Sequence, residues 1–158
     1  MDNIAFSESG YSFRRLTSGC EPEIYEELSA LDRMCVGAEG WSAGAFRSET
    51  EKENGIVIGA YAGGRLSGLI CGYFAGDEGD ITSVAVDPEH RRKGIAIRLI
   101  ELFIRELPEN TESVFLEVRN SNAGAVSLYE KCGFERISVR KNFYNDPTED
   151  AIVMVKHL

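Results

Sequence analysis

Residues 84–98 read VAVDPEHRRKGIAIR. An apolar run ends at Val86, and Pro88 stops it from continuing. From Gly94 onward the pattern changes: Ala96, Leu99, Ile100, Phe103 and Leu107 fall on one face of a helix, which Pro108 closes. The unit is a strand, a turn and a helix. Arg91, Arg92 and Lys93 put positive charge where the helix begins. Gly94 and the small Ala96 let backbone N–H groups approach a ligand closely. The first N–H groups of a helix lack intrahelical partners, and the helix dipole favours an anion there. Arg91, Arg92, Lys93, Gly94, Ile95, Ala96 and Ile97 therefore form a candidate pyrophosphate site. RRKG alone fits a solvated basic turn better than a ligand site. The segment is not a Walker loop, because G-x-x-x-x-G-K-[ST] is missing, and it lacks the G-x-G-x-x-G of a dinucleotide site.

Upstream, residues 11–17 read as a strand. Ile24, Leu28, Leu31 and Cys35 repeat at helical spacing within 21–35, and the Gly37–Gly40 stretch breaks that helix. Ser42 is placed to cap a short second helix containing Phe46. Residues 55–62 and 65–75 read as strands joined by a tight Gly63-Gly64 turn, and 80–86 as a third. Downstream, 113–118 (SVFLEV) alternates, with Val114, Leu116 and Val118 on one side. Asn120, Ser121 and Asn122 are candidate N-caps for a helix over about 122–132, with Gly133 at its C′ position. Strands over 134–141 and 150–157 surround a polar loop. The order β-α-α-β-β-β-α-β-α-β-β predicts a layered α/β (α+β) sheet, and 158 residues suit one domain.

Apolar residues make up 43% and charged residues 27%, a globular balance. No apolar run is long enough to span a membrane, and the opening MDNIAFSESGYSF lacks the pattern of a secretory signal. Cys20, Cys35, Cys71 and Cys132 are scattered without C-x-x-C spacing, so neither a metal site nor a disulfide framework is expected. They read as reduced, mostly core residues of a cytoplasmic protein. The net charge of −9 argues against nucleic-acid binding.

The pattern R-x-x-G-x-A behind VAVDP resembles the acetyl-CoA loop of the GNAT N-acetyltransferases. NSNAGAVSLYEKCGF resembles their second signature, N-x-x-A-x-x-L-Y-x-x-x-G-F. Within the family, LEVRNSNAGAVSLYEKCGF and RKNFYNDPTEDAIVM resemble the bacterial RimI-type enzymes, and GWSAGAFRSE is similar to their Trp-Ser stretch. The resemblance implies the GNAT fold, a mixed, mostly antiparallel sheet of about seven strands with four helices. It implies acetyl-CoA as co-substrate and a protein N-terminus, that of a ribosomal protein, as acceptor. It leaves open a small amine or a lysine side chain as acceptor, or a module that binds acyl-CoA without catalysis.

An α-amine has a pKa of roughly 8 and is mostly protonated at neutral pH, so the reaction needs a base. Glu117 interrupts an apolar strand and points to the opposite face of the sheet from Leu116 and Val118. A carboxylate in a partly dry cleft suits that role. Asn122 and Tyr129 lie two helical turns apart and share a stripe. By resemblance, Glu117 is the general base, Tyr129 the acid near the coenzyme sulfur, and Asn122 a coenzyme contact. By the same route, Val84, Ala85 and Val86 present backbone groups to the pantetheine arm, with the Val84 N–H as oxyanion donor. The resemblance also places Tyr144, in the loop between the last two strands, against the acceptor, where a surface loop aromatic fits equally well, and Trp41 either in the same groove or as an anchor between two helices. No cysteine sits in a nucleophile motif, so direct transfer in a ternary complex is expected.

Overall fold

The helix read from residues 94–107 is α3, Ile95–Glu106, in a computed structural model that describes residues 6–8 and 10–158. Residues 1–5 and 9 of the opening stretch lie outside the described residues. Ile95, Leu99, Ile100 and Phe103 are buried, so one apolar face of α3 is spent on the sheet. The strand before it is β5 (Glu78–Val86). The other elements are β1 (Phe6–Glu8), β2 (Tyr11–Leu16), α1 (Pro22–Val36), α2 (Ala43–Glu51), β3 (Gly55–Ala62) and β4 (Arg65–Ala75). After α3 come β6 (Ser113–Arg119), α4 (Ala123–Lys131), β7 (Glu135–Asn145) and β8 (Thr148–His157). Sequence and structure agree on the four α-helices, and the structure adds short helical turns at Gly37–Glu39 and Pro88–His90. The Ser42 and Asn122 side chains cap α2 and α4, each accepting a backbone N–H three residues on.

The strands form one eight-stranded sheet in the order β1-β2-β3-β4-β5-β6-β8-β7, with short β1 added to the strands read from sequence. β5 and β6 run parallel, and the other described neighbours are antiparallel. A parallel pair needs a crossover, and α3 supplies it. One face of the sheet packs Phe13, Ile58 and Leu116 against Leu99 and Phe103 of α3 and Val126 of α4. The other packs Leu16, Val57 and Leu69 against Leu28 of α1 and Phe46 of α2.

The parallel pairing stops early. β5 and β6 are in register from Glu78↔Ser113 to Ile81↔Leu116 and no further. Beyond that point β6 stays with β8 as far as Arg119, while β5 stays with β4 as far as Val86. The two strands part and leave a wedge. A bulge sits at the parting: Gly72 faces Ile81 and Cys71 faces Ser83, which leaves Thr82 as an extra residue and bends β5. Glycine is required at position 72, because a Cβ there would strike the Asp80 carbonyl and the Phe103 ring.

Two expectations need correction. Strands β7 and β8 extend through most of the expected polar loop and leave only Asp146 and Pro147 between them, so Tyr144 lies on β7, opposite Glu149, rather than in a loop. β7 is an edge strand and nearly all of it is exposed, so it shows no burial alternation to read. Its extra residues are absorbed by a bulge between Arg140 and Tyr144, where Asn142 is left-handed and Asp150 Oδ1 accepts its N–H. Of the cysteines, only Cys71 is buried; Cys20, Cys35 and Cys132 are half-buried.

Candidate active site

The wedge opens into a cavity of about 570 Å³ whose lining includes Trp41, Val84, Glu117, Asn122, Tyr129 and Tyr144. Residues from α1, the α1–α2 connection, β5, β6, α4 and β7 thus meet in one place. β6 alternates between buried and half-buried residues, which turns Val114, Leu116 and Val118 into the core and Glu117 to the opposite face. Arg140 Nε lies 3.5 Å from Glu117 Oε1.

Asp80 is a second carboxylate beside Glu117 that the sequence reading missed. It is in register with Phe115, two residues before Glu117, and stands opposite Tyr73 on β4. Burial, reinforced by the charge on Glu117 and opposed by Arg140, pushes the Asp80 carboxyl up to about 6. The Asp80 charge in turn raises the Tyr73 phenol. The only signal for this in the sequence is an aspartate opening the apolar run DITSVAV.

Tyr129, on α4, is 8% exposed, and its ring meets Phe134 edge to face. Burial holds its phenol well above the ordinary range, so it stays protonated. Asn122 Oδ1 accepts the Ala125 N–H at 3.1 Å to cap α4, which leaves its amide nitrogen for a ligand. Tyr144 is pushed up to about 12, first by burial and then by the charge on Glu117.

Trp41 is fixed by its backbone. Its N–H donates to Asp32 Oδ2 at 2.7 Å, and its carbonyl accepts from Ser29 Oγ at 2.7 Å. The Ser83 hydroxyl donates to the other Asp32 oxygen, which ties α1 to the bent part of β5. The Trp41 ring packs on Phe46 of α2.

The open edge of β5 follows from strand parity. The Asp87 N–H donates to the Ser67 carbonyl on β4, so Ala85 shares that direction and the backbone groups of Val84 and Val86 turn away from β4. Past Ile81, β6 no longer covers that side. Val84 therefore offers its N–H and carbonyl to the wedge. Arg91 Nε takes the Val86 carbonyl at 3.1 Å, and another guanidinium nitrogen lies 3.7 Å from Cys35 Sγ.

The α3 start carries no side-chain cap, in contrast to α2 and α4. The backbone is left-handed at Arg92 and again at Gly94. A Cβ built on Gly94 meets nothing within 4 Å, so the space above the helix start is open. Uncapped N–H groups, exposed Arg92 and Lys93, and free space suit a pyrophosphate. Ile95 is 3% exposed, so its contribution is limited to its backbone. Lys93, Gly94, Ile95 and Ile97 also border a smaller cavity of about 230 Å³ with Tyr11 and Phe13.

The model of the acetyltransferase (GNAT) family matches residues 14–134. The chain belongs to the GNAT acetyltransferase family. It is 35% identical over 117 residues to the [ribosomal protein bS18]-alanine N-acetyltransferase of Escherichia coli (strain K12), covering 72% of this chain and 78% of that one. It is 32% identical over 154 residues to the N-alpha-acetyltransferase RimI of Mycobacterium tuberculosis (strain ATCC 25618 / H37Rv), covering 88% of this chain and 95% of that one. The crystal structure of the ribosomal-protein-S18-alanine N-acetyltransferase from Escherichia coli superposes with a TM-score of 0.76 at 30% identity, over 90% of this chain and 93% of that one. The eight-stranded sheet with four α-helices is thus a GNAT fold, and the chain is an acyltransferase. No helix among the described residues is long and apolar enough to cross a membrane.

In this GNAT enzyme the wedge gathers Val84, Glu117, Asn122, Tyr129, Trp41 and Tyr144 into one cavity, while Lys93, Gly94, Ile95 and Ile97 border a second. The structure adds Asp80, Arg140, Glu39 and Arg119 to the residues read from sequence. Glu39 and Arg119 line the main cavity.

Proposed function

We propose that this GNAT enzyme transfers the acetyl group of acetyl-CoA to the N-terminal α-amine of a cytoplasmic protein, directly, in a ternary complex. The observation that carries this reading is the single cavity lined together by Glu117, by Val84 on the uncovered edge of β5, and by the aromatic side chains of Trp41 and Tyr144. Acetyl-CoA supplies an acetyl thioester. The N–H groups at the start of α3, with Arg92 and Lys93, hold its pyrophosphate. The Val84 N–H holds the reacting carbonyl oxygen, and the Asn122 amide nitrogen steadies the arm.

Glu117 takes the proton that the acceptor amine must lose. Asp80 adds negative charge nearby, which draws the ammonium form of the acceptor in. Tyr129, kept protonated by burial, donates toward the departing sulfur. Trp41 and Tyr144 flank the first residues of the acceptor. The relatives named for bS18 alanine acetylation support a ribosomal protein as acceptor.

The test is an acetylation assay with acetyl-CoA against peptides with free N-termini, N-terminally blocked lysine peptides and polyamines, with the acetyl group located by mass spectrometry. Acetate on the α-amine of the free peptides is expected. Acetate confined to lysine or polyamine would overturn the reading.

A further inference from the structure

Glu39 sits at the end of the short helical turn Gly37–Glu39 that follows α1, two residues before Trp41. Its Oε2 lies 2.6 Å from an Arg119 guanidinium nitrogen at the end of β6. Its Oε1 accepts the Asn145 N–H at 2.7 Å, at a sequence separation of 106, and the Asp146 N–H at 3.4 Å. Arg119 reaches the same hairpin independently. It donates to the Pro147 carbonyl at 3.1 Å and to Glu149 Oε1 at 3.2 Å, and its guanidinium lies 4.3 Å from the centre of the Tyr144 ring.

We propose that Glu39 is a positioning residue for the acceptor: through Arg119 and the backbone of the β7–β8 hairpin, it locks Trp41 and Tyr144 at the spacing that admits a peptide N-terminus. The inference rests on the proposed function of the same cavity. Side-chain exposures of 28% for Glu39 and 20% for Arg119 shield the pair more than an ordinary surface ion pair. Each member also holds backbone groups, which fixes geometry as well as charge. The latch acts on the acceptor side: Glu39, Arg119 and Tyr144 line the main cavity, while Lys93, Gly94 and Ile95 at the α3 start line the other.

The test uses the full chain. In Glu39→Ala the KM for an N-terminal peptide should rise about tenfold, the loss of one shielded charge-assisted contact, while the acetyl-CoA Kd by calorimetry stays within about twofold. Glu39→Gln should raise KM less, because its amide oxygen still accepts the Asn145 N–H. An unchanged peptide KM in Glu39→Ala, or a Kd for acetyl-CoA that rises in step with it, would overturn the proposal. Amide exchange gives a readout that needs no turnover. In Glu39→Ala, residues 37–42 and 145–149 should both exchange faster; unaltered exchange at 145–149 contradicts the latch. If the unaltered enzyme acetylates no peptide N-terminus, the proposed function falls, and the exchange result alone decides whether the latch exists.

Discussion

The region assigned to the coenzyme is built from one continuous stretch of chain and mostly from backbone: the open edge of β5 at Val84, then the left-handed turn at Arg92 and Gly94, then the uncapped start of α3. The acceptor side is built from side chains brought together over long separations, with Glu39 and Arg119 80 residues apart and Glu39 and Asn145 106 apart. A backbone site tolerates changes of side chain but depends on local conformation. A side-chain site can be retuned one residue at a time. Under the proposed function, the coenzyme grip falls to the first side and the choice of amine to the second.

Substitutions on the two sides should separate in what they change. The largest effect in this set is expected from Tyr129→Phe, where steady-state kcat should fall about 10- to 100-fold through loss of the proton donor. Its acetyl-CoA Kd should hold. An unchanged kcat would reduce Tyr129 to a packing residue.

Arg92→Ala should weaken acetyl-CoA about fivefold by calorimetry, on the order of 1 kcal/mol, and leave the peptide KM alone. A change in the peptide KM alone would reverse the assignment of the two sides.

Asp80→Asn tests the charge beside Glu117 through stability. The folded-state pKa of Asp80 is raised from 3.8 to about 6. The stability from its protonated form is complete below pH 3.8 and is lost as pH climbs through about 6. The variant does not titrate, so its midpoint in urea should gain on the parent enzyme from pH 4 to pH 6 and keep that lead above. A pH-independent difference would contradict the shift.

Asn122→Ala removes the α4 cap and should cost about 1 kcal/mol of stability, with a small rise in the acetyl-CoA Kd.

The same contrast explains what was legible in the sequence. α3 announces itself because Leu99, Ile100 and Phe103 repeat at the period of a helix, and Glu117 because it breaks the run of Leu116 and Val118. Both signals are local. The parting of β5 and β6 after Ile81 and Leu116 is not legible, because β6 is distant in sequence and Gly72, which faces the bulge, does not say which strands part there. β7 was read too short because an exposed edge strand has no buried side to alternate with. Asp80 was passed over because its neighbour Glu117 is distant in sequence. The Glu39–Arg119 pair was invisible for the same reason.

Glu117 shares the cavity with Val84 and with Trp41 and Tyr144, and the proposed reaction depends on it as the base. The most direct test is kcat for Glu117→Gln at saturating acetyl-CoA and peptide, with acetyl-CoA Kd measured on the same preparation. A fall in kcat of about 10²-fold or more with an unchanged Kd is expected of a lost general base. A variant that keeps full kcat would contradict the account.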